Sequence, residues 1–352
     1  MVREVSGNLL ADDADALVNT VNTVGVMGKG IALQFKRAYP EMFADYARAA
    51  RAGRLETGRM HVWETGSLTG PRYIINFPTK RHWKAGSRMS DIEAGLDDLV
   101  RVVKELGIGS IAVPPLGCGN GGLEWGDVAP RIHAAFAELD AVDVRVYPPA
   151  GAPPAREMID RTAAPSLTPV RAALLALIAG YHAAAWEWPG LIGTQKLAYL
   201  LQESGEPLGL HYAKGPYGPY ADDLRKALRD MEGHFITGFG DGSTSPLDAE
   251  ALEVTESARH RLHDTVVQSP DTAARTRRVL TLISGFEGTY DLELLASVHW
   301  ASVHEGAADP DAASRIIRDW TSRKATLFSP DHVATAWEAL ERDSWLRRPA
   351  YA

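Results

Sequence analysis

An α/β fold followed by a mainly helical second half is predicted by three observations. In residues 1–150 short apolar runs alternate with amphipathic stretches of helical period. Two of the apolar runs lead into glycine-rich turns, at residues 25–30 and 117–122. Beyond a proline-rich break at residues 147–155 the composition shifts to helix formers. Strands separated by helices imply a layered fold with a mostly parallel sheet.

The elements of the first half follow in order. Residues 1–5 read as a short strand and residues 6–10 as a turn. Ala16-Leu17-Val18-Asn19-Thr20-Val21-Asn22 is apolar enough for a buried strand. Residues 31–38 and 40–52 form one helix or a broken pair, with Pro40 at a helix start, where its missing N–H is tolerated. Strands are expected at 60–63 and 73–77. Ser90-Asp91-Ile92-Glu93 has the form of a capping box. It opens a helix whose Ile92, Leu96, Leu99, Val103 and Leu106 recur at three and four. A strand at 110–113, a helix at 127–139 and a strand at 142–147 complete the half.

Ligands of such sheets bind at the carboxyl ends of the strands. Three loops leave such ends, after Val21, Phe77 and Val113. The first, Gly25-Val26-Met27-Gly28-Lys29-Gly30-Ile31-Ala32, runs into a helix N-terminus. Outward N–H groups and the helix dipole make that an anion site, and glycines let a phosphate approach the backbone. A tight turn without a ligand explains the glycines equally well. The third loop holds Gly117, Gly119 and Gly122 in a GxGxxG spacing. A dinucleotide fold is rejected, because the motif is late in the chain and its helix starts several residues afterwards. The following strand also ends in Pro148-Pro149 instead of an acid. Two glycine loops from one sheet fit better as two jaws on a diphosphate. The middle loop, Pro78-Thr79-Lys80-Arg81-His82-Trp83-Lys84, continues through Arg88. It suits a phosphate backbone with a base stacked on Trp83, against the alternative of a solvated basic loop.

Composition narrows the function classes. Among 352 residues there is one cysteine, Cys118, so no disulfide framework exists and a reducing compartment fits. In its glycine loop Cys118 reads as a small packing residue without a base partner, and His61 reads as structural. No HxxxH or CxxC spacing suggests a metal. The N-terminus has no signal-peptide character, and no apolar run approaches the roughly 20 residues of a membrane span. A soluble, cytoplasmic protein is expected. The net charge of −8 is uneven, with −1 in residues 1–155 and −7 in the rest. The acidic half argues against a basic DNA-binding surface there and suits a basic partner protein.

Residues 151–169 read as a linker, and residues 170–352 as a second domain. Helices are expected at 170–185, 194–204 and 219–231, then hairpin strands at 235–242 and 252–255, the outline of a winged helix. Further helices are expected near 257–267, 272–284, 291–305, 311–324 and 331–342. The third helix has mixed charge at Asp222, Asp223, Arg225 and Lys226, which favours protein binding over DNA binding. Lys214-Gly215-Pro216-Tyr217-Gly218-Pro219-Tyr220 is a rigid aromatic turn, either a contact surface or an ordered link.

Residues 1–150 resemble a macrodomain. The likeness rests on Gly7-Asn8-Leu9-Leu10, Val18-Asn19-Thr20-Val21-Asn22, residues 25–35, Asn76-Phe77-Pro78-Thr79-Lys80 and residues 116–125. Within macrodomains it is most similar to the DarG antitoxins, which remove the ADP-ribose that DarT toxins attach to thymidine in single-stranded DNA. The resemblance implies a three-layer fold with a mixed, mostly parallel sheet. It places Asn8 and Leu9 at the adenine and Asn22 at the distal ribose. Met27, Gly28, Lys29, Gly30 and Ile31 would wrap the phosphates from one side, and Leu116, Gly117, Cys118, Gly119, Asn120 and Gly121 from the other. Thr79 would line the site and Lys80 would be the catalytic lysine, its pKa lowered by desolvation and by cations such as Arg81 and Lys84. Arg81, His82, Trp83 and Lys84 would contact DNA. Related glutamate hydrolases carry an aspartate where this chain has Gly121, so another group or a water must complete hydrolysis. No cofactor is implied. The implied partners are ADP-ribosylated single-stranded DNA, ADP-ribose as product, and a DarT-type toxin bound and inhibited by the second half. A non-catalytic ADP-ribose reader with a DNA-binding winged helix, or a hydrolase of modified proteins, are the alternatives.

Overall fold

The computed structural model describes residues 1–267 and 269–346, the side chains of residues 263–267 excepted. The last residues of the expected second domain, 347–352, lie outside the described residues. The chain forms two compact units. One is Met1–Ala163 together with Asp241–Thr244; the other is Ala164–Gly240 together with Ser245–Ala352. Residues 151–163, read from sequence as linker, thus belong to the first unit.

The first unit is built on six strands: β1 (Val2–Glu4), β2 (Ala16–Asn22), β3 (His61–Glu64), β4 (Tyr73–Lys80), β5 (Ser110–Val113) and β6 (Asp143–Val146). Their order is β1-β6-β5-β2-β4-β3, and all neighbours are parallel except β3 with β4. The sheet is therefore mixed and mostly parallel, as expected. Four helices cover it: α1 (Gly30–Ala38), α2 (Pro40–Arg51), α3 (Met89–Leu106) and α4 (Trp125–Phe136). Strand alternation sorts the side chains between two cores. Ala16 and Val18 join Ile75, Phe77, Ile111 and Val113 beneath α3 and α4, against Leu96, Leu99, Val128 and Ile132. Leu17, Val21, Ile74 and Ala112 face the other way, onto Phe35, Met42 and Tyr46 of α1 and α2.

Two expectations about this unit are corrected. The middle loop was expected to begin at Pro78, but β4 runs on to Lys80. Pairing with β3 ends at Asn76, so Pro78 sits where the strand has only β2 beside it, a place that tolerates proline. The capping box at Ser90 does not form. Helix α3 starts at Met89 after an extended Arg88 without a side-chain cap, and Glu93 reaches Arg131 at 2.7 Å.

The second unit is helical, with two short antiparallel strand pairs among the described residues. Helix α5 (Pro169–Ala185) is capped by the Thr168 side chain, and α6 (Leu191–Glu203) follows. The turn at residues 214–220 is a hairpin of β7 (Ala213–Gly215) and β8 (Gly218–Tyr220), so the next helix, α7 (Asp222–Met231), starts after it and not at Pro219. The strands expected at 235–242 and 252–255 shrink to β9 (Ile236–Thr237) and β10 (Glu253–Val254), paired antiparallel. Then come α8 (Glu256–Val267), α9 (Pro270–Leu282), α10 (Thr289–Val303), α11 (Pro310–Trp320), α12 (Ser322–Leu327) and α13 (Pro330–Arg342). The single helix expected at 311–324 breaks at Thr321, which is extended and caps α12 through its side chain onto the Lys324 N–H.

Candidate active site

The loop after β2 is shaped by Asn22. Its Oδ1 accepts from the Val24 and Val26 N–H groups at 3.0 and 3.3 Å, and its Nδ2 donates to the Val26 carbonyl at 2.6 Å. The phenol of Tyr46 donates to the Asn22 carbonyl at 2.5 Å, and burial pushes that phenol's pKa up. The amide expected at a distal ribose is thus already bonded within the turn. Gly25 turns the chain at φ +80°, where any side chain would press on Ala50. Met27 is buried beneath the loop, and Lys29 is the extended residue before α1, its side chain exposed. Gly30 opens the helix at φ +64°, and Ile31 packs at the edge of the Phe35 core. Asn8 caps the short turn Leu9–Ala11 through its Oδ1 and donates to the Glu157 carbonyl at 3.1 Å, while Leu9 is buried in the same core.

Lys80 ends β4 opposite Asn22. Its Nζ donates to the Asn120 carbonyl at 2.9 Å and more loosely to the Trp83 carbonyl at 3.4 Å. Burial lowers its pKa below the ordinary lysine value. Burial, not the expected help from neighbouring cations, produces this shift, and the Lys84 amine lies 4.9 Å over the Trp83 ring. The preceding Thr79 is buried, its hydroxyl on the Val21 carbonyl. Thr23 pins the start of the basic loop, its N–H on the Lys80 carbonyl and its hydroxyl on the Arg81 carbonyl. Arg81, His82, Trp83 and Lys84 are all exposed, with the His82 and Trp83 rings 5.3 Å apart.

The loop after β5 folds back on itself and on residue 87. The Leu123 N–H bonds the Gly117 carbonyl, the Gly122 N–H bonds that of Gly119, and the Ser87 N–H bonds that of Gly121 at 2.9 Å. Leu116 is fully buried. The Cys118 thiol points to the Leu116 carbonyl, and burial pushes its pKa up to about 11, so it is no nucleophile near neutrality. Gly121 has no room for a side chain: a Cβ there would overlap the Gly117 carbonyl oxygen and Ser87 Oγ. The aspartate of related hydrolases is therefore excluded by this backbone. The Asn120 amide lies 3.5 Å from where a Cβ on Gly30 would stand. The two glycine loops meet at that point, and the Asn120 carbonyl carries the Lys80 amine.

Composition and spacing did not reveal the polar chain under this site. Asn19, Asn76 and His61 are neighbours across β2, β4 and β3. Asn19 Nδ2 donates to Asn76 Oδ1 at 2.9 Å, and Asn76 Nδ2 lies 3.1 Å from His61 Nδ1. His61 Nε2 is 3.1 Å from Asp45 Oδ2. The one available signal was two asparagines at inward positions of apolar strands.

The family model described as Macro domain matches residues 18–132. A DNA ADP-ribosyl glycohydrolase of Thermus aquaticus is 46% identical over 348 residues, 99% of this chain and 95% of that protein. A DNA ADP-ribosyl transferase–DNA ADP-ribosyl glycohydrolase fusion protein of Thermosipho africanus is 36% identical over 160 residues, 41% of each. The solved macrodomain of Mycobacterium tuberculosis DarG is 59% identical, covers 43% of this chain and 99% of that one, and superposes with a TM-score of 0.42. At 46% identity to such an enzyme over nearly the full length of both proteins, this chain belongs to the DNA ADP-ribosyl glycohydrolase family.

Proposed function

We propose that this chain removes ADP-ribose from ADP-ribosylated DNA, with Lys80 as the catalytic amine. The observation that carries the assignment is the Lys80–Asn120 bond of 2.9 Å, which holds a partly desolvated amine where the two glycine loops meet. A neutral amine has two hydrogens, and the Asn120 and Trp83 carbonyls accept both, leaving the lone pair free. That pair attacks the anomeric carbon as the bond to the base breaks through an oxocarbenium-like state. The base nitrogen takes the electron pair and a proton, and the new lysine adduct gives up a proton in balance. Water then displaces the lysine nitrogen at the same carbon and releases ADP-ribose. Arg81, Lys84 and Trp83 offer the phosphates two cations and the bases one exposed ring.

The second unit is the proposed toxin-binding part. It carries most of the chain's negative charge and would present it to a DarT-type DNA ADP-ribosyltransferase. The fusion relative, in which the two activities share one polypeptide, supports that pairing. Among the described residues no helix is long and apolar enough to cross a membrane. With a single cysteine as well, the cytoplasm is the compartment we propose.

The test uses single-stranded oligonucleotide carrying ADP-ribose on thymidine. Wild type should release ADP-ribose, and Lys80→Ala should slow release by about 100-fold or more while still binding ADP-ribose. Equal release by both proteins removes Lys80 from the mechanism.

A further inference from the structure

Four residues from far along the chain, Asp241–Thr244, belong to the first unit. Asp241 is 2% exposed, and its contacts fall on the first turn of α1. Its backbone carbonyl accepts the Gly30 N–H at 3.2 Å. Its Oδ2 accepts from Gln34 Nε2 at 2.6 Å, and Gln34 is itself 6% exposed. Its Oδ1 accepts the Ser243 N–H at 2.9 Å, which fixes the carboxylate's orientation. One residue therefore grips α1 at both ends of its opening turn.

This grip lies within the proposed phosphate jaw. The first N–H groups of a helix are those that face an anion, and a strand–glycine–helix loop leaves them unpaired for it. Here the Gly30 N–H already has a protein partner. The ligand's phosphates are left the donors beyond it, and their position depends on where Asp241 holds Gly30. Gly30 takes a left-handed conformation and faces the Asn120 amide, so a shift of this turn changes the gap between the two jaws.

We propose that Asp241 is a positioning residue of the glycohydrolase site, acting through Gln34 and Gly30 to set the phosphate loop. It rests on the reading of the glycine loops as the ADP-ribose site. It makes the site discontinuous in sequence, since residues 1–163 alone lack one of its supports. Asp241 does not touch Lys80, so it governs substrate binding and leaves the chemistry at the amine alone.

The experiment is a donor–acceptor swap in the full-length chain. Gln34→Glu sets two carboxylates against each other, and Asp241→Ala removes the carboxylate's hold on Gln34 and Ser243. Asp241→Asn keeps an acceptor for Ser243 and lets Gln34 turn its amide over. The double variant Gln34→Glu with Asp241→Asn rebuilds the bond with its direction reversed. ADP-ribose affinity is measured by calorimetry, and KM and kcat with the ADP-ribosylated oligonucleotide. Asp241→Ala and Gln34→Glu should each weaken ADP-ribose binding and raise KM by about 10-fold with kcat and its pH profile unchanged. Asp241→Asn and the double variant should return to within about threefold of wild type. Folded Gln34→Glu and Asp241→Ala proteins with wild-type affinity and KM overturn the proposal, as does a double variant no better than Gln34→Glu. Should Asp241→Ala fail to fold, Gln34→Glu and its rescue decide. Lys80→Ala runs alongside: if it keeps full activity, the Lys80 assignment falls, while the affinity arms still judge Asp241.

Discussion

Asn19 and Asn76 face each other across the β2–β4 pair, joined at 2.9 Å, with neither side chain reaching solvent. The bond fixes the direction of a longer chain. Asp45 can only accept, so His61 carries its proton on Nε2, and Nδ1 accepts from Asn76. The Asn76 carbonyl oxygen then accepts from Asn19, whose Nδ2 also lies 3.9 Å from the sulfur of Met27. The relay thus runs from helix α2, through three strands, to the floor of the glycine loop after β2. Replacing Asn76 by Leu strands buried groups on both sides. It should lower the first unit's stability by about 1–3 kcal/mol. Asp45→Asn, at the outer end where water can substitute, should cost much less. Urea unfolding of the two variants checks the order.

The Lys80 amine should leave its mark on the pH dependence of the reaction. Burial lowers its pKa, so the neutral form is populated at lower pH than for a free lysine. Single-turnover release of ADP-ribose should rise with pH and level off below 10.5, the ordinary lysine value. Lys80→Arg keeps a cation at the site but never becomes neutral, and should be inactive at every pH. A profile for Lys80→Arg parallel to wild type would show that the positive charge alone is what matters.

Gly121 is set by space. A Cβ there overlaps Ser87 Oγ and the Gly117 carbonyl oxygen, and the carbonyl cannot withdraw without breaking its bond from the Leu123 N–H. Gly121→Ala should cost about 1–3 kcal/mol of stability and weaken ADP-ribose binding. Gly121→Asp, which imitates the related hydrolases, should be worse on both counts and gain no rate. Thermal melts and ADP-ribose titrations of the two variants separate these outcomes. An active, stable Gly121→Asp would mean that the loop relaxes freely.

How legible was this in the sequence? The apolar runs of β2 and β5 and the glycine loops after them were readable, because burial on two faces leaves an apolar run and a tight strand-to-helix turn leaves glycines. Lys80 was found but set in a loop, since Pro78 reads as a breaker wherever the neighbouring strand's length is unknown. Thr321 splits a helix through its side-chain cap, although the residues on both sides favour helix. The grip of Asp241 on Gln34 spans 207 residues of sequence. No local pattern carries a contact of that kind, and residues 240–242 read from sequence as the end of a hairpin strand.

Lys196 supplies a test in the second unit. Its side chain is buried, with Nζ donating to the Pro219 carbonyl at 2.7 Å. Desolvation lowers its pKa to about 7, with Glu293 opposing and Lys324 assisting the shift. Glu293 is held by Arg323 and by Lys324, so it does not serve Lys196 as a close partner. Between about 7 and the unfolded value of 10.5, the unfolded chain binds the extra proton. Stability from this group therefore rises with pH, by roughly 1 kcal/mol per unit. The Lys324 amine of the same unit, its pKa also lowered by burial, pulls in the same direction, and pH 7 to 9 lies inside the Lys196 interval. Urea unfolding of the second unit should show a higher midpoint at pH 9 than at pH 7. Lys196→Met removes the larger titrating contribution and should reduce that difference, leaving the part that Lys324 carries. An undiminished slope in Lys196→Met would place the titrating group elsewhere.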